Sequence, residues 1–172
     1  MKATIEPGLP GTGPVPVHPH TGNPTPWTEG CVVRFRSDSG NEWIGNLQTG
    51  NGYATRIIEW NAAKAMFVIA GGAAYFIRPD QPESWICFDE LGSDCILSPD
   101  EKIALLTTYT EIVAIAMNGT ELWRRDIAID GIEITQIEGG LIYGNACMDP
   151  PDLWVSFILD LKNGLDVEAN DQ

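Results

Sequence analysis

The sequence predicts an all-β protein built from consecutive antiparallel meander sheets, and three observations lead there. Short runs rich in Val, Ile, Thr, Phe, Tyr and Trp recur along the chain, a composition that suits a pleated, half-buried surface. Gly, Pro, Asn and Asp cluster between those runs rather than inside them, as hairpin-connected strands require. No stretch sustains a helical period. The best helical candidate, residues 101–117, is interrupted by Thr107-Thr108-Tyr109-Thr110, four residues of modest helix propensity.

Residues 1–29 hold more than half of the prolines and few large apolar side chains before Trp27. They read as a Pro/Gly-rich N-terminal arm, either flexible or laid as an extended ribbon over the domain, with the Trp27 indole as its anchor. A single all-β domain is expected over residues 30–165. CVVRFRS, from Cys31, alternates with Val33 and Phe35 on one face and Arg34 and Arg36 on the other. WIGNLQ, from Trp43, and ATRIIEWN, from Ala54, complete a first three-stranded meander. AMFVIAGG, AAYFIRP and SWICFDE make a second, punctuated by Gly71-Gly72 and the loop over residues 79–82. Residues 97–126 make a third. Ser98-Pro99-Asp100-Glu101 forms a tight turn, residues 102–108 and 111–117 are strands, and Leu122 and Trp123 begin a returning strand. Asn118-Gly119 between them signals a two-residue hairpin turn with positive φ at both central residues. IEITQIE, GLIYGNA and LWVSFILDL form a fourth set, the last two joined by Asp149-Pro150-Pro151-Asp152, and residues 166–172 follow as a frayed acidic tail.

A chain of 172 residues buries roughly 70% of its unfolded surface, so it needs no disulfide framework. Cys31, Cys87, Cys95 and Cys147 include no C-x-x-C pair and no neighbouring histidine, which removes the usual zinc and thioredoxin-type spacings. They read as free thiols, buried or half-buried, in a reducing cytoplasm. The first ten residues lack the apolar run of a secretory signal. Residues 65–77 are too short and too glycine-broken to span a bilayer, so a soluble cytoplasmic protein is expected. The net charge of −14 is unevenly placed. Residues 31–78 carry five basic and three acidic side chains, and residues 79–172 carry four basic and nineteen acidic ones. A field of that sign repels nucleic acid phosphates and anionic lipid and favours a basic partner.

His18 and His20 are the only histidines. Their spacing places both on one side of an extended segment, but two ligands on a solvated arm do not make a metal site. With no histidine in the domain, a Ser-His-Asp or Cys-His nucleophile system lacks its base. Gly8 to Gly13 lacks the Gly-Lys-Ser/Thr ending of a phosphate loop. No catalytic residue, metal ligand or cofactor is assigned.

Ser98-Pro99-Asp100-Glu101-Lys102-Ile103-Ala104 resembles the S-P-D-G-K-hydrophobic-A opening of blades in the WD and TolB-like propellers, with Glu101 where that family prefers glycine. Asn118-Gly119-Thr120-Glu121-Leu122-Trp123 is similar to the D-G-x-x-L-W turn of quinoprotein-type repeats. The segment from Leu153 to Gly164 resembles the strand that ends such blades in an L-D-L-x-x-G turn. The resemblance covers about a third of the chain and implies blade-like sheets; it implies no quinone cofactor. Sets of three strands at roughly 30 residues fall short of the ~40–45 of a full blade. The expected fold is therefore an incomplete propeller-like array or a multi-sheet β-sandwich.

Carboxylates carry what chemistry remains. Asp149 and Asp152 flank a rigid Pro-Pro beside Trp154, an arrangement suited to a sugar or a cation, or simply a solvated acidic turn. Trp27, Trp43, Trp60, Trp85, Trp123 and Trp154 recur at strand positions, as core packing or as an aromatic ligand face. Arg34, Arg36 and Arg56 form a basic patch or internal ion pairs. The function expected is a non-catalytic protein-binding module. Its acidic half contacts a basic protein through Asp100, Glu101, Glu111, Glu121, Asp149, Asp152 and Trp154, and a bacterial inhibitor or immunity-type protein is one concrete form. The alternatives are a carbohydrate-active or cation-dependent hydrolase using Asp149, Asp152 and a further carboxylate, and a structural subunit that associates through its sheet edges.

Overall fold

The computed structural model describes residues 1–22, 24 and 28–167, and every regular element in them is a β-strand. The strands form four antiparallel sheets in chain order, none closed into a barrel. The chain divides into two compact units, Met1–Asp94 and Cys95–Gln172.

In the first unit, β1 (Lys2–Ile5), β2 (Cys31–Arg36) and β3 (Glu42–Leu47) form one sheet in that order. β4 (Arg56–Trp60), β5 (Ala65–Ala70), β6 (Ala73–Ile77) and β7 (Trp85–Asp89) form the next. The alternation of β2 places Val33 and Phe35 inward, where Phe35 stacks on Trp43 with ring centroids 4.2 Å apart. Leu47 joins them, facing Met66, Val68, Tyr75 and Ile77. β5 and β6 are buried on both faces, as their unbroken apolar runs require. The other face carries Trp60, Phe67 and Phe76, with Phe67 and Phe76 edge to face at 5.5 Å.

Two expectations for this unit change. ATRIIEWN does not close the first meander: β4 pairs with β5 and opens the second sheet. The reason lies in the connection before it. Gly50 N donates to Ala70 O, Asn51 N to Glu90 O and Gly52 N to Gly71 O, which carries the chain off β3 and onto the second sheet. The third place in the first sheet goes to β1, from the Pro/Gly-rich segment. That segment also lies along the far edge of β3, where Val17 N donates to Ile44 O at 2.9 Å and Asn46 N to Val17 O at 2.8 Å. Buried Asn46 fastens its end, accepting from Gly30 N and donating to Thr28 O. His18 and His20 are accordingly half-buried rather than on a solvated arm: His18 Nδ1 lies 3.3 Å from Asn46 Nδ2, and His20 packs edge-on to Trp85. The anchoring assigned to Trp27 lies outside the described residues.

In the second unit, β8 (Asp94–Leu97), which begins at the division, β9 (Ile103–Thr107), β10 (Glu111–Ala116) and β11 (Glu121–Asp126) form a sheet in the order β11-β10-β9-β8. The stretch over residues 97–126 thus gains a fourth strand from just before it. β12 (Ile132–Glu138), β13 (Leu141–Asp149) and β14 (Leu153–Asp160) form the last sheet. Leu105, Ile112 and Ala114 pack with Ile142 and Leu159, and Trp123 and Phe157 close the margins of that core.

Two turns differ from expectation in their backbone. At the β10–β11 hairpin only Gly119 has positive φ, at 85°. Gly119 N donates to Ala116 O, and the register shifts between Ala114 and Ile115, so this is a longer turn with a bulge rather than a two-residue one. Asn118 Oδ1 instead accepts from Thr120 N at 3.0 Å. In the β8–β9 turn it is Glu101 that takes φ of 53°, at the position where the propeller motif prefers glycine. In the segment read as an acidic tail, Val167 N donates to Ile158 O; residues 168–172 lie outside the described residues.

Candidate functional site

All seven residues singled out as partner contacts lie in the second unit, at three separate places. Asp100 and Glu101 sit in the β8–β9 turn. Ser98 Oγ donates to Asp100 Oδ1 at 2.8 Å, the Lys102 backbone N donates to the same oxygen, and Lys102 Nζ lies 3.1 Å from Oδ2. The Ser98 hydroxyl first, and Lys102 after it, bring the Asp100 carboxyl down to about 2. Glu111 and Glu121 are both held by Arg124, at 2.6 and 3.2 Å. Asp149, Asp152 and Trp154 belong to the β13–β14 hairpin and are all exposed. The Pro150-Pro151 peptide is cis, Asp152 N donates to Asp149 O, and Trp154 Nε1 donates to Pro151 O at 3.2 Å.

Register fixes how far apart these places are. Ile103 opposes Ala116, so the Asp100 turn and the β10–β11 turn share one end of their sheet. Tyr109 O, at the other end, accepts from Gly131 N, and Gly131 O accepts from Cys147 N, two residues before Asp149. A six-residue strand such as β10 is about 20 Å long. Asp100 and Asp149 therefore lie at opposite ends; Glu111, at the Tyr109 end, is the one further candidate carboxylate on the side of Asp149 and Asp152, and it is held by Arg124. Among the described residues, no group of three or more His, Cys, Asp or Glu side chains is arranged to hold a metal ion.

The basic patch resolves into pairs. Arg34 Nε lies 2.7 Å from Glu6 Oε1 and its Nη1 2.6 Å from Glu42 Oε1. Arg36 bonds the other oxygen of Glu42, and Arg56 lies 3.1 Å from Asp94. The hydrogen bonds to Glu6, then Glu42, raise the Arg34 guanidinium further. Those from Arg36, then Arg34, hold the Glu42 carboxyl below its ordinary range. The four cysteines are free thiols, three buried and Cys87 half-buried. Burial pushes the Cys87 thiol up to about 11 and raises Cys31 as well, the opposite of what a reactive thiol needs.

What the sequence reading missed lies beside the acidic hairpin. Leu153, Trp154 and Val155 are 52, 47 and 46% exposed, three consecutive large apolar side chains, and Met148 is 40% exposed across the hairpin. Val155, Phe157 and Ala146 form one wall of an open groove of about 970 Å³; Ile127 and Ala128, following β11, form another. Asp126 and the Arg125–Asp166 ion pair stand at its polar margin. LWVSFI reads as a core strand because apolar content alone does not say whether anything covers it. A signal was present in the run itself: three apolar residues in a row cannot all face one core from a strand. Against known proteins, the chain matches no family model, no curated protein and no solved structure.

Proposed function

We propose that this chain is a non-catalytic protein-binding module whose second unit presents an acidic, partly apolar surface to a basic protein partner. A small inhibitor that masks a basic toxin-type domain is one form such a module takes. The observation that carries the reading is the pairing of charge in that unit. It holds four basic side chains against fourteen acidic ones. Three of the four are already engaged: Lys102 by Asp100, Arg124 by Glu111 and Glu121, Arg125 by Asp166. Asp149 and Asp152 have no basic side chain in ion-pair range among the described residues, and they border the exposed Met148, Leu153 and Trp154. An apolar patch rimmed by uncompensated carboxylates favours a partner with apolar contacts ringed by Lys or Arg, and speeds its encounter.

The test is capture on the immobilised chain at low and high salt, repeated with the D149K/D152K variant. The captured protein should be basic, its capture should fall as salt rises, and the double charge reversal should slow association by about tenfold or more. Capture indifferent to both salt and charge reversal overturns the reading.

A further inference from the structure

We propose that the free edge of β14 receives an extended basic segment of the partner as an added strand, with alternate side chains of that segment seated in the groove beside Val155 and Phe157. This rests on the protein-binding reading and supplies its geometry.

The backbone of β14 sets which groups face outward. Val167 N donates to Ile158 O, and Asp160 N donates to Leu165 O, both on the side away from β13. Because successive residues of a strand point their hydrogen-bonding groups to opposite sides, Ser156 N–H and C=O face outward with those of Ile158 and Asp160. Register to β13 runs unshifted from Asp160 to Trp154, so the alternation is kept. Among the described residues, no backbone group pairs with the outward side of Ser156. The chain has itself started a strand there, with residues 165–167, and the described part of it stops at Ile158.

The other sheet edges are protected. Residues 17–19 cover β3. β1, β4, β7, β8, β11 and β12 each carry at least one charged side chain within at most seven residues. β14 differs in length: it is eight residues long with seven uncharged ones from Leu153 to Leu159 before its terminal Asp160, whereas β7 and β8, which also carry charge only at one end, are five and four residues long. A long, apolar, unguarded edge is a template for another strand.

Charge selects the occupant. Asp149 and Asp152 precede the strand, Asp160 ends it, and Asp126 stands in the groove wall. Ile158 is already taken by Val167, so among the described residues the open stretch runs from Leu153 to Phe157, about 17 Å, room for five extended residues. A β-branched run of that length with Lys or Arg at its ends fits both features. A second copy of this chain does not: two-fold antiparallel pairing of β14 with itself sets Asp149 and Asp152 of one copy over Asp160 of the other, between chains that each carry −14.

The test is calorimetric titration of the full chain with a synthetic peptide, Lys-Val-Thr-Val-Thr-Val-Lys, capped at both ends. Two further peptides carry N-methyl groups, on the three Val nitrogens in one and on the two Thr nitrogens in the other. The parent should bind with salt-sensitive affinity. One methylated peptide should bind about tenfold more weakly or worse, because only one edge of the peptide faces β14. S156P removes an outward N–H that no β13 group uses. It should weaken the parent similarly, whereas S156A, which loses only the Ser156 Oγ to Asn145 Oδ1 hydrogen bond and keeps the outward N–H, should bind the parent as the unaltered chain does. If both methylated peptides and S156P match the parent, the strand-addition inference is overturned and the acidic binding reading stands. If the parent shows no salt-sensitive binding, the strand-addition inference falls, while the capture experiment with D149K/D152K decides the acidic-surface reading separately. Sedimentation showing a dimer that S156P dissolves, or peptide binding that appears only after residues 168–172 are removed, names another occupant and also overturns the inference.

Discussion

Replacing Gly164 by alanine should cost far more than its position in a surface turn suggests. Gly164 follows β14, is buried, and has φ of +71°. Its N donates to Asp160 O at 2.8 Å, and its carbonyl accepts from Arg125. The left-handed backbone alone costs an alanine about 1–2 kcal/mol. The added Cβ would also stand 2.7 Å from Cε3 and 2.9 Å from Cδ2 of Trp123. That ring is not free to retreat, because its Nε1 donates to Leu161 O at 3.0 Å and its body packs on the core with Leu105 and Leu159. Forcing a methyl into such a site costs about 1–3 kcal/mol more. Gly139 supplies the control: φ is +60°, and nothing lies within 4 Å of an added Cβ. G139A pays only the backbone term, partly offset by a stiffer unfolded chain, for a net loss of about 1 kcal/mol or less. G164A should lose about 2–4 kcal/mol. Urea unfolding followed by tryptophan fluorescence reads both, and the difference between the variants isolates the contact with Trp123. Equal losses would refute the reasoning and show that the ring yields without cost.

The other predictions concern single groups. E101G should be more stable than E101A by about 1 kcal/mol in urea unfolding, because glycine relieves the φ of 53° and alanine does not. The Asp100 carboxyl should titrate near 2 by NMR, and S98A and K102M should each raise that midpoint, since the Ser98 hydroxyl and then the Lys102 ammonium hold it down. A carboxyl lowered on folding contributes stability that is present above its unfolded value near 3.8. That stability is lost as pH falls through about 2, so acid unfolding of S98A should be less steep across that window. Native protein at pH 8 should resist alkylation at Cys87 and Cys31, whose thiols burial raises, and react in urea; rapid native labelling at either, read by mass spectrometry, would contradict the packing.

Strand content was legible because it is written in local chemistry. The alternation of Cys31–Arg36, the unbroken runs of Ala65–Ala70 and Ala73–Ile77, and the Gly and Pro between them specify strands whatever surrounds them. Sheet membership was not local. The 56–60 strand is equally suited to pairing with β3 or β5, and backbone bonds from Gly50, Asn51 and Gly52 to residues distant in sequence made the choice. The turn at Asn118-Gly119 shows the same limit at smaller scale: the dipeptide marks a hairpin, while the register of the flanking strands sets which residues take positive φ.

For the candidate site, the sequence by itself determined the sign and location of charge, since every acid of the second half is visible as a residue. Only tertiary structure decided which of those acids is spent. Arg124 reaches two carboxylates and Lys102 a third because folding brings them within 3.2 Å, and no basic side chain comes that near to Asp149 or Asp152 among the described residues. The exposure of Leu153, Trp154 and Val155 is likewise a tertiary fact. Hydrophobicity is a property of a residue, but burial depends on whether another surface arrives to cover it, and along the outer edge of β14 the described residues bring only 165–167.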